Sequence, residues 1–150
     1  MIKDQKKILF RAIGNEPACW RLAWKLNQEP KKKVDLLKPF VNDIIRSIPE
    51  KPDGHQRELL KLILKLHVED EIMGELWNIC LNIWLNIKKQ PSVRIKAYTH
   101  LVNIVNIHPE LIHELESLTE NEHINSLSEG IKKSTYKNLE KKLPSKYKAK

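Results

Sequence analysis

A chain of 150 residues with 41% hydrophobic and 31% charged side chains can bury a core without staples, which excludes an intrinsically disordered polymer. Four glycines and two phenylalanines, against abundant Leu, Ile, Lys, Glu and Asn, favour helix over sheet. The net charge of +8 lies at one end: of 27 basic and 19 acidic side chains, residues 132–150 hold eight lysines and one glutamate, leaving 19 and 18 for the nearly neutral body.

The opening segment, MIKDQKKILFRAIG, has no continuous apolar run and no small-residue cleavage site, so it does not read as a signal peptide. Its spacing predicts a helix from about Lys3 to Ile13, stopped by a Gly14-Asn15 C-cap. A second helix is expected to open at Pro17, with Trp20, Ala23, Trp24 and Leu26 on one side. Glu29-Pro30 opens a third, in which Val34, Leu37, Phe40, Val41, Ile44, Ile45 and Ile48 share a face and Pro39 bends or shortens the helix. PEKPDG, residues 49–54, is the clearest break. The fourth helix carries Leu59, Leu60, Ile63, Leu64 and Leu66. The fifth begins at Glu69-Asp70-Glu71 and ends at Lys88-Lys89, charges placed to suit the helix dipole. Pro91 and Pro109 open a sixth and a seventh, and Ile124, Leu127 and Ile131 could extend one more.

No apolar run reaches membrane-spanning length; the best, Ile72 to Ile87, is broken by Asn78, Asn82 and Asn86. Cys19 and Cys80 sit in apolar helical patterns without ligand spacing, as small buried thiols do in a reducing compartment. The expectation is a soluble, cytoplasmic protein.

The helices repeat. Pro17, Gly54 and Pro91 are each 37 residues apart; Ala23, Leu60 and Ala97 fall in the same register, as do Trp20, Arg57 and Arg94. The second helices open at Pro30, Asp70 and Pro109. Three helix-turn-helix units of this length are the pattern of an α-solenoid. The segment QPSVRIKAYTHLVNIVNIHPELIHELESL resembles a HEAT-type repeat: a proline opens its first helix, then Val93-Arg94, Ala97 and Leu101 precede a short turn and a second amphipathic helix. EPACWRLAWKLNQEPKKKVDLLKPF matches more loosely, with Trp20 in place of the arginine; DGHQRELLKLILKLHVEDEIMGELW keeps Arg57 without the proline. The resemblance, to HEAT-like (armadillo-type) proteins of the small bacterial single-domain kind, spans about Asn15 to Leu118. It implies an all-α fold, an α-α superhelix of about three helix pairs over residues 1–131 with an N-terminal cap helix. A lysine-rich segment, helical or disordered, follows over 132–150. Such repeats imply a binding surface on the second helices and no chemistry of their own.

The residues agree with that implication. His108 and His113 are five apart and share no helical face; there is no HExxH, no Cys/His cluster, no phosphate loop and no nucleophile elbow. Histidines are expected at the surface and at helix ends. Glu69, Asp70, Glu71 and Glu75 are explained by a first turn rather than by acid–base work. No enzyme activity, metal or cofactor is indicated. The tryptophan pairs Trp20/Trp24 and Trp77/Trp84 are expected to pack between layers, with an exposed groove as the alternative.

Two binding readings follow. In the first, the inner helices near Val34–Ile48, Ile72–Lys88 and Leu111–Leu118 hold a protein or peptide through Lys38, Asn42, Arg46 and the i, i+4, i+8 ladder Asn78, Asn82 and Asn86. In the second, Lys31, Lys32 and Lys33, which open a helix against its dipole, act with the tail lysines Lys132, Lys133, Lys137, Lys141, Lys142, Lys146 and Lys148 as sequence-independent phosphate contacts for nucleic acid. Tyr136 and Tyr147 interleave with that tail, which alternatively only solubilises the chain.

Overall fold

Apolar spacing and breakers settle where the helices run, and turn chemistry settles where they stop. The computed structural model describes residues 2–119 together with 124, 127, 128, 130, 132 and 133, with backbone alone for 2–6. All regular elements among the described residues are helical: α1 (Ile2–Ala12), α2 (Cys19–Gln28), α3 (Lys31–Val34), a 3-10 stretch (Asp35–Phe40), α4 (Val41–Ser47), a 3-10 turn (Ile48–Glu50), α5 (Asp53–Leu64), α6 (Asp70–Leu85), α7 (Pro91–Ile107), a 3-10 turn (Pro109–Leu111) and α8 (Ile112–Ser117). The all-α expectation holds.

Several boundaries move for identifiable reasons. Gly14 keeps a negative φ, so it is no left-handed cap. A Cβ there would stand 3.0 Å from Cys19 Sγ, and close approach is what requires the glycine. Pro17 and Ala18 form a turn and α2 starts at Cys19, two residues later than the proline suggests. Pro39 has no N–H and its ring clashes with the carbonyl four residues back, so the third predicted helix is divided by a 3-10 segment. The buried set Val34, Leu37, Val41, Ile44, Ile45 and Ile48 nevertheless runs through all its parts. The break at 49–54 shrinks to Lys51-Pro52, because Asp53 and Gly54 already belong to the first turn of α5.

The chain divides into two compact units, Met1–Ile79 and Cys80–Lys150, with the boundary inside α6. In the first, α2 packs between α1 and α5, while α4 and the 3-10 stretch before it lean on α5 and α1 respectively. Leu9, Ala12, Ala23, Leu26, Leu59, Leu60 and Ile63 fill the space between them. Polar side chains, most of them buried, then fasten helix ends. His55 Nε2 donates to the Ala12 carbonyl at the end of α1 (2.6 Å), and Gln56 Nε2 donates to the Ile48 carbonyl (3.0 Å). Lys51 bonds Asn15 Oδ1, and Lys65 Nζ reaches the Asn27 carbonyl at 2.7 Å. Burial, with the nearby Lys51 charge as a smaller contribution, holds the His55 pKa below the ordinary histidine value. The expectation of surface or helix-end histidines therefore fails for His100, buried within α7; the equally buried His55 stands in the first turn of α5.

In the second unit one stack organises the packing. Trp84 is wholly buried, its ring 4.7 Å from that of Tyr98, and Arg94 lies 4.8 Å over the indole while only 1% exposed. Arg94 Nε donates to the Trp84 carbonyl (2.9 Å), and Trp84 Nε1 donates to the Leu118 carbonyl (2.8 Å), so α6, α7 and the end of α8 are tied at one point. Ile124 and Leu127 are also buried, while Ile131 lies outside the described residues. The thiol of Cys80, buried in this unit, is held well above its ordinary pKa by desolvation.

Replacing Arg94 removes packing and strands a buried carbonyl together. Arg94→Ala is expected to lower unfolding free energy by about 3 kcal/mol, and Arg94→Lys to recover less than half of that, measured by urea denaturation. Wild-type stability in Arg94→Ala would show that the stack is incidental.

Candidate interaction surface

Exposure selects two polar stripes. Lys38, Asn42 and Arg46 are exposed at four-residue intervals along the 3-10 stretch and α4. On α6 the exposed positions Glu71, Glu75, Asn78 and Asn82 recur at spacings of four, three and four, one face of a helix whose other side is buried through Ile72, Leu76, Cys80 and Ile83. The two stripes meet at one contact. Arg46 Nε and Nη2 donate to the two Glu75 carboxylate oxygens at 3.1 and 3.2 Å, a bidentate pair. These bonds raise the arginine's pKa and lower the glutamate's. Asn42 and Asn78 each stand one turn from the pair, and no side-chain hydrogen bond among the described residues engages Asn42, Asn78 or Asn82.

The predicted ladder is one rung shorter than its spacing suggests. Asn86 lies beyond α6, and its Oδ1 accepts the Lys88 N–H at 3.1 Å. A side chain that bonds backbone two residues on competes with the helix, and the helix ends at Leu85 instead of Lys88-Lys89. The third predicted inner helix, α8, exposes His113, Glu114 and Glu116 within the second unit.

The residues of the alternative reading are described in part. Lys31 pairs with Asp35 (3.8 Å) and Lys33 with Glu29 (3.6 Å), so the triplet that opposes the dipole is largely offset by its own neighbours; Lys32 is exposed. Lys132 is half-buried and Lys133 exposed; Lys137, Lys141, Lys142, Lys146 and Lys148 lie outside the described residues.

One expectation is overturned here and one feature is new. Trp20 and Trp24 are 40% and 47% exposed and do not pack between layers, unlike Trp84; Trp77 is half-buried. Beside the exposed pair, α1 and α2 bound a cleft of about 650 Å³ lined by Arg11, Asn15, Glu16, Cys19, Arg21 and Lys25. The clue is in α2 itself. Cys19, Ala23 and Leu26 already form the buried face, and at 100° per residue no further side remains for both tryptophans.

Among the described residues no group of three or more His, Cys, Asp or Glu could hold a metal ion, and no helix is long and apolar enough to cross a membrane. His67, His108 and His113 each sit beside a glutamate, at 3.4, 3.4 and 3.5 Å. A family model described as a HEAT repeat domain matches residues 3–143. Comparisons with curated proteins and with solved structures found no match.

The Arg46–Glu75 pair is testable by charge exchange. Arg46→Glu is expected to lower Tm and Glu75→Arg to lower it similarly, whereas the doubly exchanged protein returns towards the wild-type value at low salt. Additive losses in the double variant would show that the two side chains do not interact.

Proposed function

Because the chain belongs to the HEAT repeat domain family, whose members are helical-repeat scaffolds that commonly mediate protein interactions, we propose that it is a non-catalytic adaptor that holds a protein or peptide on the exposed stripes of α4 and α6. The observation that carries this is the pair of unengaged amides, Asn42 and Asn78, beside the Arg46–Glu75 pair. An asparagine amide offers a donor pair and an acceptor, which is what an extended peptide backbone presents in complement. Ile44, Ile45, Ile72 and Leu76 are buried behind this surface, and the bidentate pair joins α4 to α6 at the surface. Lys38 and Arg46 at one side and Glu71 and Glu75 at the other give the surface both signs of charge, suited to fixing the register of a partner more than to raw affinity.

A photo-crosslinking residue at position 78, with a control at exposed position 110, tests this in native lysate. One or a few defined adducts are expected at 78 and none of the same mass at 110. Asn42→Ala with Asn78→Ala is expected to weaken the captured partner by about tenfold or more. Identical adducts at both positions, or an affinity untouched by the double variant, would remove the stripe from the binding site.

A further inference from the structure

The outward side of α2 combines features that neither packing nor the adaptor surface uses. Trp20 and Trp24 are exposed one turn apart, separated by about 6 Å along the helix axis. Tryptophan is highly buried on average, and two indoles left in water on a helix of ten residues form an apolar patch that asks for an occupant. Arg21 and Lys25 repeat with the same four-residue step, one position further round. They line the cleft together with Arg11, which comes from the last turn of α1.

Charge defines what that occupant is. Among the described residues no carboxylate forms an ion pair with Arg11, Arg21 or Lys25, and the single acidic residue lining the cleft, Glu16, pairs with none of them. Three cations against one carboxylate make the cleft positive, and cations gathered in one place repel one another until an anion enters. The surrounding sequence strengthens the field. Residues 7–33 hold seven basic and two acidic side chains, although the body as a whole is nearly neutral, and one of those acids, Glu29, is already engaged by Lys33.

We propose that this face binds single-stranded nucleic acid, with bases stacking on Trp20 and Trp24 and phosphates entering the Arg11–Arg21–Lys25 cleft. The interleaving of rings and cations is the deciding feature. An acidic peptide would satisfy the charges but carries no succession of planar groups to cover two indoles, and a duplex keeps its bases stacked on each other, away from the protein's rings. The Arg21 guanidinium carbon is 5.9 Å from the Trp20 centroid, at the outer limit of a cation–π contact, so the charge that a phosphate would meet stands next to the ring that a base would cover. The recognition is sequence-tolerant, because every base has a stackable face. It is independent of the α4 and α6 stripes and of the tail lysines.

The test uses the full chain and a labelled oligothymidylate of about 20 nucleotides, followed by anisotropy across a salt series. Trp20→Ala with Trp24→Ala is expected to weaken binding by about tenfold or more while leaving the salt slope unchanged. Arg21→Gln with Lys25→Gln is expected to weaken it and to flatten the slope by about two phosphate contacts. Both pairs are exposed, and circular dichroism checks that the variants fold. A duplex of equal length is expected to bind more weakly. Absence of binding, a tryptophan variant that binds as well as wild type, a duplex bound equally tightly, or displacement of the oligonucleotide by oligoglutamate at equal concentration would each overturn the proposal, the last in favour of an acidic protein segment.

Discussion

The last carbonyls of a helix find no partner within it, and in this chain side chains from distant positions, most of them buried, take them. Ala12 is met by His55, Asn27 by Lys65, Trp84 by Arg94 and Leu118 by Trp84, while the Ile48 carbonyl takes Gln56 as well as the Lys51 N–H. The opposite ends are treated otherwise. α2, α3, α4, α5, α7 and α8 all lack a side-chain N-cap, and three of them follow Pro30, Pro52 or Gln90 in extended conformation. Each such bond is worth only about 1 kcal/mol when made, yet a buried group left without its partner costs about 1–3 kcal/mol. The contacts therefore stabilise modestly but penalise any other arrangement of the helices strongly, which gives short helices with plain apolar faces a specific seating.

What is left over after that seating is the exposed surface on which the proposed contacts lie. Helix α6 buries Ile72, Leu76, Cys80 and Ile83 and turns Glu75, Asn78 and Asn82 outward, while α2 buries Cys19, Ala23 and Leu26 and turns its tryptophans and cations outward. The first set is supported from behind and ordered by Arg46. The second has unpaired charge beside exposed rings. Their different chemistries suit different partners, a peptide backbone in one case and a stacked, phosphate-bearing strand in the other.

Much of this was legible from spacing. Pro17, Gly54 and Pro91 mark the repeat because proline and glycine act on the backbone whatever surrounds them, and the buried stripe from Val34 to Ile48 survives its interruption at Pro39 for the same reason. Side-chain fate was less legible. Trp20, Arg57 and Arg94 occupy one register but meet different surroundings. Arg57 forms an ion pair with the buried Glu58 at 3.3 Å, whereas Arg94 is buried on Trp84. Asn86 looked helical by period and ends the helix by its own hydrogen bond. The exposed pair on α2 depended on how much of that helix its neighbours would cover, a tertiary fact that periodicity does not hold.

His55 offers the most direct measurement of the helix-end fastening, because it is the one such contact that titrates near neutral pH. Its folded pKa is depressed by burial, so above the ordinary histidine value of about 6.5 both states are neutral and the contact is intact. As pH falls below that value the unfolded chain takes up a proton that the folded one refuses, and stability is lost until the folded pKa is passed. Urea denaturation of the wild type and His55→Gln between about pH 5 and 8 separates this group from the other histidines. Loss of stability on acidification that is visibly steeper in the wild type is the predicted result. Parallel curves, with the variant as stable as the wild type throughout, would contradict the claim that buried side chains at helix ends seat the helices.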